Sequence, residues 1–155
     1  MDYLNQHSTL TLSQGLEEYT NHYPFLNNNE GKDEASQWFR KHDITHVLFG
    51  TIPFQIRGEA INDTWTLFGT DVTLRGYKEF FKYVDYNTVI NSYLKQYKFK
   101  FIVYSVMAKY LPICFIAYVR AKKMHKKWDW HNHDHYLDMK LCNIRKEFNI
   151  KVIKP

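Results

Sequence analysis

Three observations in the sequence predict an all-α protein, a helical bundle in a single domain. Apolar residues recur at three- and four-residue spacing, which stripes one face of a helix. Capping residues and Gly or Pro bracket these stretches. Alternation of period two is weak everywhere except "YKFKFIVY" (97–104), the one stretch that passes for a strand. With 155 residues, 45 % of them hydrophobic, the chain is long enough to bury one core and has no linker to divide it.

Each element follows from local chemistry. Residues 1–12 are polar and read as frayed, and "NHYPFLNNNEGK" (21–32) reads as a loop, so 1–32 is expected to be an irregular N-terminal segment ahead of a helical domain over 33–155. Asp33 is a good N-cap for "DEASQWFRKHDITHVLF", whose first turn is acidic. Ala35, Trp38, Phe39, His42, His46 and Phe49 share its stripe, and Gly50 closes it. After a connection containing Pro53, a second helix spans about 58–68, with Glu59 in its first turn and Gly69 beyond its end. Asp71 is placed to cap a third, "VTLRGYKEFFKYV". "NTVINSYLKQYKFKF" and the apolar run to Val119 continue helically, with a break expected near Pro112. "RAKKMHKKWDWHNHDHY" reads as a polar, basic interruption before a last helix, "LDMKLCNIRKEF", and the tail "NIKVIKP".

Bulk properties narrow the function classes. A net charge of +5 favours an anionic partner: lipid headgroups, a carboxylated or phosphorylated small molecule, or nucleic acid. In "RAKKMHKK" (120–127) the charges spread round a helix and carry few aromatics, so nucleic acid is not expected; anionic headgroups or a solvated face suit the segment equally. "FIVYSVMAKYLPICFIAYV" (101–119) approaches the length of about 20 apolar residues that a span needs. Lys109 and Pro112 argue against one, leaving buried helices or a surface helix dipping into headgroups. Cys114 and Cys142 have no CxxC spacing, which suits a reducing interior, and the N-terminus lacks the pattern of a secretion signal. The glycine-rich phosphate loops and Ser or Cys nucleophile triads are absent.

The chemistry concentrates in "RKHDITHVLFG" and "IRGEA". Residues four apart stack on one helix face, so His42 and His46 can present two imidazoles to one ion. Glu59, after a short turn, is placed to supply a third donor, and Asp43 can ligate, orient a histidine or accept a proton. Two histidines with one or two carboxylates leave open coordination positions, the arrangement of catalytic sites. The spacing also suits two hydrogen-bonded core histidines, and the residues alone leave both readings open. His131, His133 and His135 in "WDWHNHDHY" suggest a second metal site, but residues two apart share a side only in an extended chain, so a solvated loop is expected.

"HDITHVLFG" followed by "RGEA" resembles the HDxxH…E signature of the ubiquinone biosynthesis family of coenzyme Q biosynthesis protein 4. "SQWFR", "KYLP" and "LCNIRKEFNI…P" resemble further stretches of that family in order, so the likeness runs from about residue 34 onward. Twelve residues (47–58) separate His46 from Glu59, one more than the pattern's usual spacing, and "WDWHNHDHYLD" is longer than its counterpart. The resemblance implies an all-helical fold with an apolar groove or channel for a polyprenyl tail. It implies a metal site of His42, Asp43, His46 and Glu59, with Asp43 and Glu59 as catalytic groups, holding a divalent metal, zinc first and iron as the alternative. The implied reaction is C1 decarboxylation coupled to hydroxylation of a prenylated benzoate precursor, a lyase-type loss of CO2. The chain would then sit peripherally on the cytoplasmic side of a membrane (in a eukaryote, at the mitochondrial inner membrane), with other ubiquinone-biosynthesis proteins and a second copy of itself as partners. Arg40 and Arg57 are the candidates for an anionic head group.

Two other functions are consistent with the residues. One is a non-catalytic polyprenyl-lipid scaffold for ubiquinone-biosynthesis enzymes, which needs the groove but not an intact metal site. The other is an HD-type phosphohydrolase, which needs an upstream histidine and a downstream aspartate; His22 and Asp63 or Asp85 are the candidates.

Overall fold

The computed structural model describes residues 1–24, 33–77 and 100–154, with side chains from 108 onward in the last segment. Among the described residues the protein is all-α: helices α1 (Leu12–His22), α2 (Glu34–Phe49), α3 (Ile56–Gly69), α4 (Lys100–Lys122) and α5 (Leu141–Phe148), with 3₁₀ turns at Asp2–Leu4 and Asp134–Tyr136. Two isolated bridges, Thr11 to Lys140 and Thr70 to Trp128, are the only extended pairings described.

Capping fixes α2 where the sequence places it. The Asp33 carboxylate accepts from the Ser36 N–H and hydroxyl, satisfying a donor that the first turn leaves orphaned. Gly50 ends the helix in the left-handed region at φ 65°, where a Cβ is costly. Helix α3 starts two residues earlier than expected and ends at Gly69.

The N-terminal segment is not irregular. Thr11 and Gln14 form a reciprocal capping box that starts α1, and Leu12, Leu16 and Tyr19 bury one face of it. Tyr3 is fully buried, and the Glu18 carboxylate accepts from the Asp2 and Tyr3 N–H groups, so the first residues are docked rather than frayed.

Three further expectations are corrected. Helix α4 runs through Pro112. Pro112 and Ala108, whose carbonyl loses its N–H partner, are both exposed, so water can take the bond. Residues 100–104 of the suspected strand are helical. Asp71 does not cap the short helical turn at 74–77; Thr73 does, accepting from Gly76 N–H, because the Asp71 carboxylate accepts from Trp130 N–H instead. The expected helix over 78–99 lies outside the described residues.

The core gathers residues from every described helix, including Tyr3, Leu16, Val47, Phe49, Trp65, Ala117, Trp128, Leu141 and Phe148. Helix α3 packs along both α2 and α4. Residues 123–139 interrupt the α-helices as expected and are largely exposed, but Trp128, Trp130, His133 and Tyr136 are buried and anchor the segment to the core. The tail is buried too, through Ile150, Val152 and Ile153.

Arg145 of α5 is wholly buried. It donates to the carbonyls of Val47 and Leu48 at the end of α2, and to those of Tyr3 and Asn5. A cation suits that negative helix end. Burial lowers its pKa to about 10, against a smaller opposing effect from Asp2. Among the described residues no helix is long and apolar enough to cross a membrane.

Candidate metal centre

The site forms where α2 faces the first turns of α3. One helical turn stacks His42 above His46, with ring centroids 4.8 Å apart. Glu59 comes to them because the 51–55 loop folds back over α3 at Gly58, where a Cβ would lie 1.8 Å from the Ile52 carbonyl oxygen. Only glycine permits that approach. The loop turns at Phe54, a non-glycine residue at φ 60°, whose N–H donates to Glu59 Oε1 at 2.7 Å. That bond leaves Glu59 Oε2 for the histidines, 3.3 Å from His46 Nε2 and 4.0 Å from His42 Nε2.

One donor atom from each of His42, His46 and Glu59 lies within 4.8 Å of the others, so the site can hold a metal ion. Donors bound at about 2.0–2.2 Å with tetrahedral angles stand roughly 3.4 Å apart, close to the His46–Glu59 spacing. His46 Nε2 is wholly buried, and the carboxylate oxygen facing it is Glu59 Oε2 at 3.3 Å. An imidazole nitrogen and a carboxylate that converge in the interior can share a cation between them. Imidazole plus carboxylate fits zinc or iron.

Electrostatics favour an ionised carboxylate. Burial raises the pKa of Glu59, but the His46 and His42 imidazoles and the Phe54 N–H outweigh it and hold the pKa at about 2. At His42 burial disfavours the charged form, yet Asp63 and Glu59, with a smaller effect from Asp43, raise the pKa overall.

Asp43 is not one of the converging donors. It is one residue, about 100°, round the helix from His42, and its buried carboxylate accepts from Tyr19 Oη at 2.9 Å. Burial and that carboxylate raise the Tyr19 pKa, keeping the phenol a donor. The Tyr19 ring stacks on His46 at 5.9 Å, so α1 forms the back wall of the site.

Neither arginine has a role evident at the donors. Arg57 donates to the Lys154 carbonyl at 2.9 Å, holding the tail, and Arg40 is exposed, two residues round α2 from His42. Among the described residues no second group of three metal donors converges. His131 lies 3.4 Å from Lys41 Nζ, His133 is buried against Trp128 and its pKa is lowered by burial, and His135 packs on Tyr136. His22 packs on Tyr23.

Sequence reasoning did not assign four residues here to the metal centre. Asp63 Oδ1 lies 3.9 Å from His42 Nε2 and accepts from the Tyr77 hydroxyl. Its signal was readable, since Glu59 and Asp63 repeat on α3 the four-residue spacing of the histidines on α2. Thr51, Asn62 and Thr45 form a buried polar chain beside the imidazoles, which no periodicity reveals. No family model, curated protein or solved structure matches the chain.

Proposed function

We propose that this chain is a metal-dependent protein of ubiquinone biosynthesis, acting at a membrane surface on the carboxylated ring of a polyprenyl benzoate precursor. The convergence of His42, His46 and Glu59 from two helices carries the reading, and the HDxxH…E resemblance supplies the substrate class. A bound divalent ion would hold the ring carboxylate or phenolate and take up negative charge as CO2 departs. Around it Glu59 stays ionised, Tyr19 and Trp38 wall the two imidazoles, and Asp63 stands at the exposed side, where a proton can be exchanged with water. Large apolar side chains exposed on α4 (Leu111, Phe115, Ile116), with Phe68 of α3, suit contact with a prenyl tail or lipid.

One observation favours the phosphohydrolase reading: Asp63, its candidate downstream aspartate, reaches His42. Another weighs against it, because the Asp43 carboxylate accepts from the Tyr19 hydroxyl.

The test is metal content by mass spectrometry on untagged protein, followed by incubation of metal-loaded protein with a prenylated benzoate. Exchange of a ring carboxylate for hydroxyl is a two-electron oxidation, so dioxygen is supplied. Stoichiometric metal, lost in His42→Ala, His46→Ala and Glu59→Ala, together with CO2 release, is the expected outcome. Stoichiometric metal without turnover would favour the scaffold, and a wild type without metal would remove the reading.

A further inference from the structure

The polar chain beside the imidazoles has only one consistent assignment of its hydrogens. Thr45 Oγ1 lies 2.6 Å from the His42 carbonyl oxygen, which can only accept, so the Thr45 proton goes there. Thr45 Oγ1 must then accept from its remaining neighbours, Thr66 Oγ1 at 3.3 Å and the Asn62 side chain at 3.1 Å. This puts the Asn62 NH2 group toward Thr45, with its nitrogen also 3.3 Å from His42 Nε2, and its Oδ1 toward Thr51. At 3.2 Å from that oxygen, Thr51 donates its one proton to Asn62. The Thr51 oxygen therefore meets His46 Nδ1, 2.9 Å away, as an acceptor. Nδ1 must carry the hydrogen.

We propose that Asn62 and Thr51 are positioning residues that hold His46 in its Nδ1–H form, leaving the Nε2 lone pair directed into the cluster with Glu59. This deepens the metal-site reading and rests on it for its consequence, though not for the tautomer itself. The opposite tautomer would set two lone pairs against each other at Nδ1 unless Thr51 abandoned Asn62 Oδ1 in the interior. Thr51, Asn62, Thr45 and Thr66 are all buried, so water does not scramble the chain. Backbone geometry reinforces it: the Thr51 N–H donates to the His46 carbonyl at 2.9 Å, so the residue grips His46 at both main chain and ring. A ligating histidine whose other nitrogen is bonded in this way is fixed in tautomer and orientation, and loss of such a partner typically costs 10–100-fold in metal affinity.

The experiment is long-range 1H–15N correlation of the metal-free, 15N-labelled full chain at mildly alkaline pH, with Co2+ titration as a separate arm. In wild type, His46 should show a pyrrole-type Nδ1 and a pyridine-type Nε2. A pyridine-type Nδ1, or two protonated nitrogens, overturns the proposal without reference to any metal. Thr51→Val should let the Nε2–H form appear and weaken Co2+ binding about 10–100-fold at unchanged stoichiometry, and Thr51→Ser should restore both. Should Thr51→Val fail to fold, the wild-type spectrum and Thr51→Ser still decide. An unchanged tautomer in folded Thr51→Val also overturns it. A wild type with the expected tautomer that does not bind Co2+ would sink the metal reading alone.

Discussion

Asp43 and Tyr19 are joined in the interior by a 2.9 Å hydrogen bond, which ties α1 to α2 behind the two histidines. Removing the phenol leaves a buried carboxylate short of a donor, so Tyr19→Phe should destabilise by about 1–3 kcal/mol. Asp43→Ala should unfold more readily in denaturant yet keep stoichiometric metal when folded. Metal lost from folded Asp43→Ala would place that carboxylate among the ligands.

Gly58 lies against the Ile52 carbonyl too closely for any side chain. Gly58→Ala should cost about 3 kcal/mol or more and weaken metal binding, because the displaced loop carries the Phe54 N–H that orients Glu59. Gly76, whose added Cβ would meet Thr73 Oγ1 at an ordinary 3.4 Å, is the control, and Gly76→Ala should stay within about 0.5 kcal/mol of wild type. Equal midpoints for the two variants in chemical denaturation would refute the close-approach argument.

Arg145 satisfies four carbonyls, and its bonds to three of them, those of Tyr3, Val47 and Leu48, are buried. Arg145→Met should therefore cost about 3–5 kcal/mol by strandng buried acceptors. Arg145→Lys should rescue little of that, since an ammonium cannot span the same fork. A thermal midpoint for the lysine variant equal to wild type would show that charge, not shape, is what α2 requires.

The metal-free protein should lose stability in acid at this site. Glu59 has a folded pKa of about 2 against an ordinary 4.5. A depressed carboxylate pKa stabilises the fold fully above the unfolded value, and that contribution fades as pH falls from about 4.5 toward about 2. His42, with a raised pKa, contributes most below its ordinary value near 6.5, and that share disappears as pH rises through its folded pKa. Glu59→Gln should flatten the acid limb of unfolding free energy against pH. An unchanged limb would mean that the carboxylate titrates alike folded and unfolded.

What the sequence made legible was local. Asp33 and Gly50 bound α2 by cap chemistry, and the four-residue histidine spacing survives in space because a helix enforces it. Docking was not legible. Leu12, Leu16 and Tyr19 lie on one helical stripe, but the polar residues between them hid it, and the Thr11–Gln14 box was overlooked. Pro112 predicts a break by local rules, but on a solvated face it leaves the Ala108 carbonyl to water and the helix continues. The tryptophans of "WDWHN" were read with their charged neighbours, whereas Trp128 and Trp130 turn inward against α5 and α2. Asp43 was read from its motif, and its tie to Tyr19 depends on a helix placed only by tertiary contacts.

The buried fork of Arg145 has a consequence for the order in which the chain folds on the ribosome. The carbonyls of Tyr3, Asn5, Val47 and Leu48 bond to water until residue 145 arrives to take them over. Gln6 likewise waits to give its amide to the Ile150 carbonyl and to take the Val152 N–H. The histidine helix is synthesised early but is framed only by residues made some hundred positions later. During translation the nascent chain therefore carries both imidazoles before α5, the last helix made, can close over the end of their helix.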